Sequence, residues 1–241
     1  MIYDQFISET INLNTESLKL NIAHVELGHI PDVKVSCGIE YGSMKNNFLS
    51  TRKMDNRYHK VITGSENLPK RYSLNWSQND GYVLFDKKYE EKLVLKGKNI
   101  SKSGKVVHLI SGDETKYKRE KIIVRQSALE IIAAKDISRL YALRSFFVIT
   151  SSNNDFPLDY LVAILNSSYI TNYSLSEGII RYQKGKQPQI RVSGLEKIPV
   201  PIIESKLKEH IINLSSKLTN NPKDNNTYEK LDSIITNIFK I

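Results

Sequence analysis

The sequence is poor in cysteine and has no long apolar run. Its one cysteine, Cys37, excludes an internal disulfide framework and a zinc site of paired cysteines. No apolar stretch approaches the roughly 20 residues that a membrane-spanning helix needs. Residues 1–14 lack the charged start and the apolar block of a secretion signal. We therefore expect a cytoplasmic protein with one large domain or two small ones.

Motifs for catalysis and nucleotide binding are also missing. The sequence has no glycine-rich phosphate loop and no G-x-S-x-G nucleophile elbow, and its histidines never stand four residues apart. Asp32 followed by Asp86 or Glu114 resembles fragments of a metal nuclease, but these acids are far apart for neighbouring strands of one small core. A small metal-dependent nuclease is a minor alternative, and we expect a chain that does not catalyse a reaction.

Short β-branched and aromatic runs dominate the first 150 residues. Bounded by Gly, Asn, Asp or Ser, they predict strands at 33–39, 58–64, 81–85, 106–110, 121–126, 129–134 and 145–150. Helical patterns between these runs are scarce, which argues against a doubly wound parallel sheet. The predicted fold class is therefore α+β, with a mixed or antiparallel β core.

Helical periodicity begins after this region. It predicts a central helix over 158–173, packed on the sheet, and a C-terminal hairpin with apolar faces at 207–218 and 228–238. A Pro-x-Pro turn at 199–201 precedes the hairpin. We divide the chain into a lead-in (1–22), a main domain (23–203) and a helical tail (204–241) that packs on the domain or on a partner.

Positive charge is concentrated in the middle of the chain. The net charge is +9, and residues 34–110 hold 15 Lys or Arg against 7 Asp or Glu. Such a local field attracts polyanions. Three stretches, 68–74, 114–126 and 181–191, combine cations with tyrosine or glutamine. Candidate nucleic-acid contacts are Lys70, Arg71, Tyr72, Lys118, Arg125, Gln126, Arg181, Tyr182, Lys184, Lys186, Gln187, Gln189 and Arg191.

The loop 181–191 supports the sharpest prediction. Lysine is a flexible point charge suited to phosphate, whereas arginine and glutamine present paired groups that match base edges. We expect Gln187, Gln189 and Arg191 to read bases, and Lys184 and Lys186 to hold phosphates.

Five segments, taken in order, carry a family resemblance. They are VSCGIEYGSMKNNFLS (35–50), YHKVITGSENLPKRYSL (58–74), REKIIVRQSALEIIAAKD (119–136), LDYLVAILNSSYITNY (158–173) and QPQIRVSGLEKIPVPI (187–202). Together they resemble the TaqI-like C-terminal specificity domain. This is the target recognition domain of adenine-specific DNA methyltransferases and type IIG restriction–modification enzymes, and it is similar to the recognition domains of type I specificity subunits.

The resemblance implies a function and a set of partners. It implies sequence-specific recognition of double-stranded DNA, on behalf of an adenine-N6 methyltransferase with or without endonuclease activity. The methyltransferase catalytic domain would act in cis or in trans. S-adenosylmethionine would bind that domain, so we expect no cofactor in this chain. The alternative from another class is an adaptor that assembles subunits of a type I-like restriction system through the C-terminal helix pair.

Overall fold

The computed structural model describes residues 20–96, 104, 106, 108–182 and 186–240. Its strands are β1 (His24–Glu26), β2 (Val33–Cys37), β3 (Leu49–Ser50), β4 (Tyr58–Ile62), β5 (Tyr82–Leu84), β6 (Lys121–Arg125), β7 (Ala133–Asp136), β8 (Tyr141–Ala142), β9 (Phe146–Ser151) and β10 (Pro199–Pro201). Its α-helices are α1 (Lys87–Leu95), α2 (Leu158–Leu165), α3 (Ser168–Ser176), α4 (Val192–Leu195), α5 (Ser205–Asn220) and α6 (Asn225–Lys240). The α+β prediction is confirmed.

A central antiparallel sheet, ordered β2-β9-β6-β7, is covered on both faces. Successive side chains of a strand point to opposite faces, so β6 sends Ile122 and Val124 into one core and Ile123 into the other. In β9, Phe147 enters the first core and Val148 the second. Burial on both faces explains why these two strands are apolar without alternation.

Helices cover one face of the central sheet and share the first core with it. Residues 160–165 of α2 are all buried. Both tail helices turn their apolar stripes inward, with Ile211 and Leu214 from α5 and Leu231 and Ile235 from α6 in this core. The tail therefore packs on the domain. In the described part of the chain, no helix is long and apolar enough to cross a membrane.

A second sheet, ordered β3-β5-β4-β8, covers the other face. Its pairs are antiparallel except β4 and β8, which run parallel with Val61 opposite Tyr141 and Ile62 opposite Ala142. Val61 and Val83 from this sheet join Ile123 in the second core. The main domain thus has three layers: helices, central sheet and second sheet.

Residues 199–201 form a strand, so the predicted Pro-x-Pro turn is wrong. β10 pairs antiparallel with β1, and Val200 lies opposite Val25. On either side of the pair, Leu27 N donates to Ile198 O at 2.9 Å and Ile202 N to Ala23 O at 2.8 Å. Hydrogen-bonded positions alternate along such a ladder, so the prolines occupy the positions that need no N–H.

The predicted central helix is two helices, α2 and α3, divided at Asn166 and Ser167. Asn166 accepts a hydrogen bond from Ala133 N and donates one to Ala133 O, both at 2.9 Å, and so satisfies the outer edge of β7. The Ser167 hydroxyl accepts from Ile170 N at 3.2 Å and caps α3. The Leu-Asn-Ser triplet therefore joins two helices to a sheet edge.

Two predicted segments lie partly outside the described residues. Part of the lead-in, 1–19, lies outside the described residues. The predicted strand 106–110 includes residue 107, which also lies outside the described residues; within the described part, Ile110 forms an isolated bridge with Glu40.

Candidate nucleic-acid interface

The structure joins the end of β6 to the loop 181–191. Ile190 N donates to Gln126 O at 3.0 Å, and Gln126 N donates to Ser145 O at 2.9 Å. The loop closes on a backbone bridge in which Arg181 and Gln189 exchange two hydrogen bonds of 2.9 Å. The basic end of the 114–126 stretch and the 181–191 loop therefore form one edge of the domain.

Most side chains along this edge are open to solvent. Lys186, Gln187, Gln189 and both arginines of the loop are exposed, and Tyr182 is 37% exposed. Arg125 and Gln126 are half-buried, and Arg125 Nη2 donates to Ser127 O at 3.1 Å. Gln183, Lys184 and Gly185 lie outside the described residues. We call the set the basic edge: Arg125, Gln126, Arg181, Tyr182, Lys186, Gln187, Gln189 and Arg191.

The cations of the basic edge have no carboxylate at ion-pair distance among the residues that the structure describes. This holds for Arg125, Arg181, Lys186 and Arg191. Exposed cations without a local counter-charge keep their full attraction for a bound anion. The exposed Arg181 and Arg191, with the neighbouring glutamines, also present the paired donors and acceptors that match base edges.

The 68–74 segment is placed differently. Lys70 is exposed, but Tyr72 is only 4% exposed and lies in the first core. Arg71 contacts the helical tail and the segment before β7: it pairs with Glu130 at 2.8 Å and donates to the Tyr228 hydroxyl. Burial raises the pKa of Tyr228 to about 12, so its hydroxyl stays protonated. Arg71 and Tyr72 therefore build the seam between domain and tail.

Lys118 lies before β6, at the far end of that strand from the basic edge. Its ammonium pairs with Glu114 at 2.6 Å, and Glu114 also accepts from the Tyr141 hydroxyl at 2.9 Å. Partial burial opposes ionisation of Glu114, but these two hydrogen bonds outweigh it and lower its pKa. The ring of His59 stacks on Tyr141, and burial lowers the pKa of His59. Lys118 thus belongs to a separate, locally neutralised cluster.

Lys121, in the same cationic stretch, is a core residue. It pairs with Asp136 at 2.5 Å, and both side chains are fully buried. Burial lowers the pKa of Lys121, while Asp136 acts in the opposite direction. Asp136 also accepts from Leu140 N at 2.8 Å. This pair links β6 to the turn after β7 and is closed to ligands.

Two of the acids that resemble nuclease fragments, Asp86 and Glu114, have structural partners. Asp86 caps α1 by accepting from Tyr89 N at 3.0 Å and pairs with Arg57 at 2.9 Å. Glu114 pairs with Lys118 and accepts a hydrogen bond from the Tyr141 hydroxyl. Within the described residues, no group of three His, Cys, Asp or Glu side chains is placed to hold a metal ion.

Sequence reasoning missed Arg144, which adjoins the basic edge. It lies in the turn between β8 and β9, next to Ser145, whose carbonyl accepts from Gln126. Its side chain is 53% exposed. The sequence signal is weak, because Arg144 is a single cation just before the strand-like run 145–150, and the aromatic residues of that run, Phe146 and Phe147, are typical of a core strand.

Solved structures of restriction–modification proteins are similar to this chain at low identity. The type IIG restriction endonuclease BpuSI is 12% identical with a TM-score of 0.47, over 99% of this chain and 32% of that one. The type IIL enzyme MmeI, solved in complex with DNA, is 10% identical with a TM-score of 0.46, over 91% and 34%. The HsdS subunit from Thermoanaerobacter tengcongensis is 10% identical with a TM-score of 0.43, over 99% and 52%. The chain spans about a third to a half of their lengths.

Comparison by sequence gives the family. No curated protein matches the chain. The model of one family, described as "TaqI-like C-terminal specificity domain", matches residues 59–200. This range includes all but the first residue of β4, the whole central sheet except β2, the Leu-Asn-Ser junction and the basic edge. Since it makes up more than half of the 241 residues, the chain belongs to the family of TaqI-like C-terminal specificity domains.

Proposed function

We propose that this chain recognises a specific sequence of double-stranded DNA, as the target recognition domain of a restriction–modification enzyme that methylates adenine at N6. The observation that carries the proposal is the basic edge, where cations with no carboxylate partner among the described residues meet glutamines, and both sets come from two distant stretches of the chain. Phosphate contacts by Lys and Arg supply affinity and orientation, and paired contacts by Arg and Gln to base edges supply specificity. Membership of a specificity-domain family supports the same role.

In this proposal, catalysis belongs to another polypeptide region. The methyltransferase catalytic domain acts in cis or in trans, closes on the opposite side of the duplex and binds S-adenosylmethionine. This chain binds DNA without a cofactor. The adaptor alternative loses its motivation, because the apolar faces of both tail helices are already buried against the domain.

Binding of the full chain to a random-sequence duplex tests the first half of the proposal. Each cation that neutralises a phosphate releases counterions, so the affinity falls steeply with salt. With the four described cations of the basic edge engaged, we expect log K against log salt to have a slope of about −3 to −4. Fluorescence anisotropy between low and moderate salt measures this slope. A flat dependence would contradict the proposal.

Location is tested by two double variants with the same change of charge. Arg181→Ala with Lys186→Ala removes two cations of the basic edge, and we expect a slope shallower by about 2. Lys118→Ala with Arg119→Ala removes two cations at the other end of β6, and we expect a much smaller change. Equal losses would mean that the whole surface, rather than this edge, attracts DNA.

Sequence specificity and the methylated base need separate experiments. Repeated selection of a randomised duplex pool on the full chain should enrich one motif. Sequencing of the host genome should then show N6-methyladenine within that motif. Enrichment of a motif whose adenines are unmodified in the genome would support DNA recognition but overturn the adenine-N6 assignment.

A further inference from the structure

Arg144 stands beside the basic edge on a firmly held turn. Leu143 N donates to Ile62 O at 3.0 Å, and Arg144 N donates to Ile39 O at 2.8 Å. Gly38 permits this contact, because a Cβ there would lie 2.2 Å from the Leu143 carbonyl oxygen. Two other backbone segments, 38–39 and the end of β4 at Ile62, therefore hold the turn, and the Arg144 side chain starts from a fixed backbone position. A group held in this way loses little freedom when it binds.

A carboxylate orients the exposed guanidinium. Arg144 Nη1 donates to Glu40 Oε2, and the two side chains are 53% and 29% exposed. Guanidinium has five N–H donors in a planar fork, and one carboxylate oxygen engages only part of it. Arg144 therefore keeps donors open to solvent that Glu40 does not engage.

The choice of partner follows from the charge of Glu40. A phosphate approaching Arg144 meets the like charge of the Glu40 carboxylate, which offsets the attraction. The O6 and N7 acceptors of guanine carry only partial negative charge, so Glu40 repels them less than it repels a phosphate. The Arg144–Glu40 pair is thus better suited to a base edge than to the DNA phosphate backbone. The cations of the basic edge differ from it, because they have no carboxylate partner among the described residues.

We propose that Arg144, oriented by Glu40, reads a guanine in the major groove, and that Glu40 discriminates against phosphate at this position. The inference rests on the proposed function and adds a specificity-determining residue to it. Arg144 contacts the base, and Glu40 is a positioning residue.

The test is selection of a randomised duplex pool on the full chain and on single variants. We expect Arg144→Ala to enrich the wild-type motif with one guanine position lost, to bind that motif about 5- to 100-fold more weakly, and to bind random duplex within about twofold. Arg144→Lys keeps the charge but lacks the paired donors, so it should not restore the guanine. Glu40→Gln should strengthen binding to random duplex and reduce discrimination.

Arg57 provides a matched control. Its side chain is 54% exposed and also pairs with carboxylates, those of Asp55 at 2.6 Å and Asp86 at 2.9 Å. It precedes β4, whereas Ile62, at the other end of that strand, contacts the Arg144 turn. Arg57→Ala should leave the selected motif unchanged.

The outcomes separate this inference from the function on which it rests. If the wild-type chain enriches no motif, the proposed function itself fails. If it does, and Arg144→Ala and Arg144→Lys both enrich that motif intact, only the Arg144 assignment is overturned. Equal weakening on motif and random duplex would make Arg144 a phosphate contact and would also overturn it. Because the lysine variant retains a cation beside Glu40, the test stands even if the alanine variant unfolds.

Discussion

The dipeptide Arg-Tyr occurs in two of the basic stretches, and the structure treats the two copies in opposite ways. Arg71 and Tyr72 lie at the seam between domain and tail, where Tyr72 is 4% exposed and Arg71 pairs with Glu130. Arg181 and Tyr182 lie on the basic edge, where Tyr182 is 37% exposed and Arg181 has no carboxylate at ion-pair distance in the described chain. Local composition thus suggests a basic, aromatic surface in both places, but only the packing around each pair determines whether it faces solvent.

The largest expected difference concerns the two tyrosines. Tyr72→Ala removes a core ring and should lower the free energy of unfolding by about 3–5 kcal/mol. Tyr182→Ala removes an exposed ring and should change it by no more than about 0.5 kcal/mol. Urea denaturation of both variants measures the difference. Equal effects would mean that Tyr182 is packed as firmly as Tyr72.

The two arginines should affect different properties: loss of Arg71 should lower stability, and loss of Arg181 should weaken DNA binding. Arg71→Ala breaks the contacts with Glu130 and Tyr228 and should cost about 1–3 kcal/mol of unfolding free energy, with duplex affinity nearly unchanged. Arg181→Ala should leave stability unchanged and make the salt slope of binding shallower by about 1. Denaturation and anisotropy on the same preparations test both. A lower salt slope for Arg71→Ala would place the seam in the interface.

Within the loop, the variants should separate base contacts from phosphate contacts. Gln187→Ala and Arg191→Ala should each cost about 1–3 kcal/mol on the selected motif and little on random duplex. Lys186→Ala should weaken both duplexes alike and lower the salt slope by about 1. Paired affinity measurements on the two duplexes test this. If the glutamine and arginine variants also weaken both equally, the loop is a phosphate clamp.

The smallest expected effect is a pH dependence of stability that arises in the Glu114 cluster. Burial holds the pKa of His59 below its ordinary 6.5 in the folded protein. As pH falls below 6.5, the unfolded chain therefore binds the proton first, and stability decreases. The lowered pKa of Glu114 contributes stability above 4.5 that is lost as pH falls through the folded-state value.

Urea denaturation at a series of pH values measures this loss. His59→Gln should remove the part that begins near pH 6.5 and leave the acidic part. The loop 181–191 contains no histidine or acid, so Arg181→Ala should follow the wild-type profile. A profile unchanged in His59→Gln would show that the histidine does not titrate in this range.

Elements with a strong local pattern were predictable. The strands β6 and β9 are runs of β-branched and aromatic residues, and the tail helices have clear apolar stripes, so their type follows from spacing alone. The divided central helix and the proline-containing strand β10 were not predictable. Each depends on a partner distant in sequence: Ala133 for the Asn166 amide, and residues 24–26 for β10. A local pattern does not record such a partner.

The candidate site shows the same division. The amino-acid order alone determines the fold class, the concentration of positive charge, and the presence of glutamine and arginine groups that can match base edges, because these properties depend on composition and local spacing. The tertiary structure brings Gln126 to Ile190, withdraws Tyr72 and Lys121 into the cores, and places Arg144 beside the basic edge. Those outcomes are set by burial and by hydrogen bonds between residues far apart in the chain, and each side chain's exposure is decided only when the layers pack.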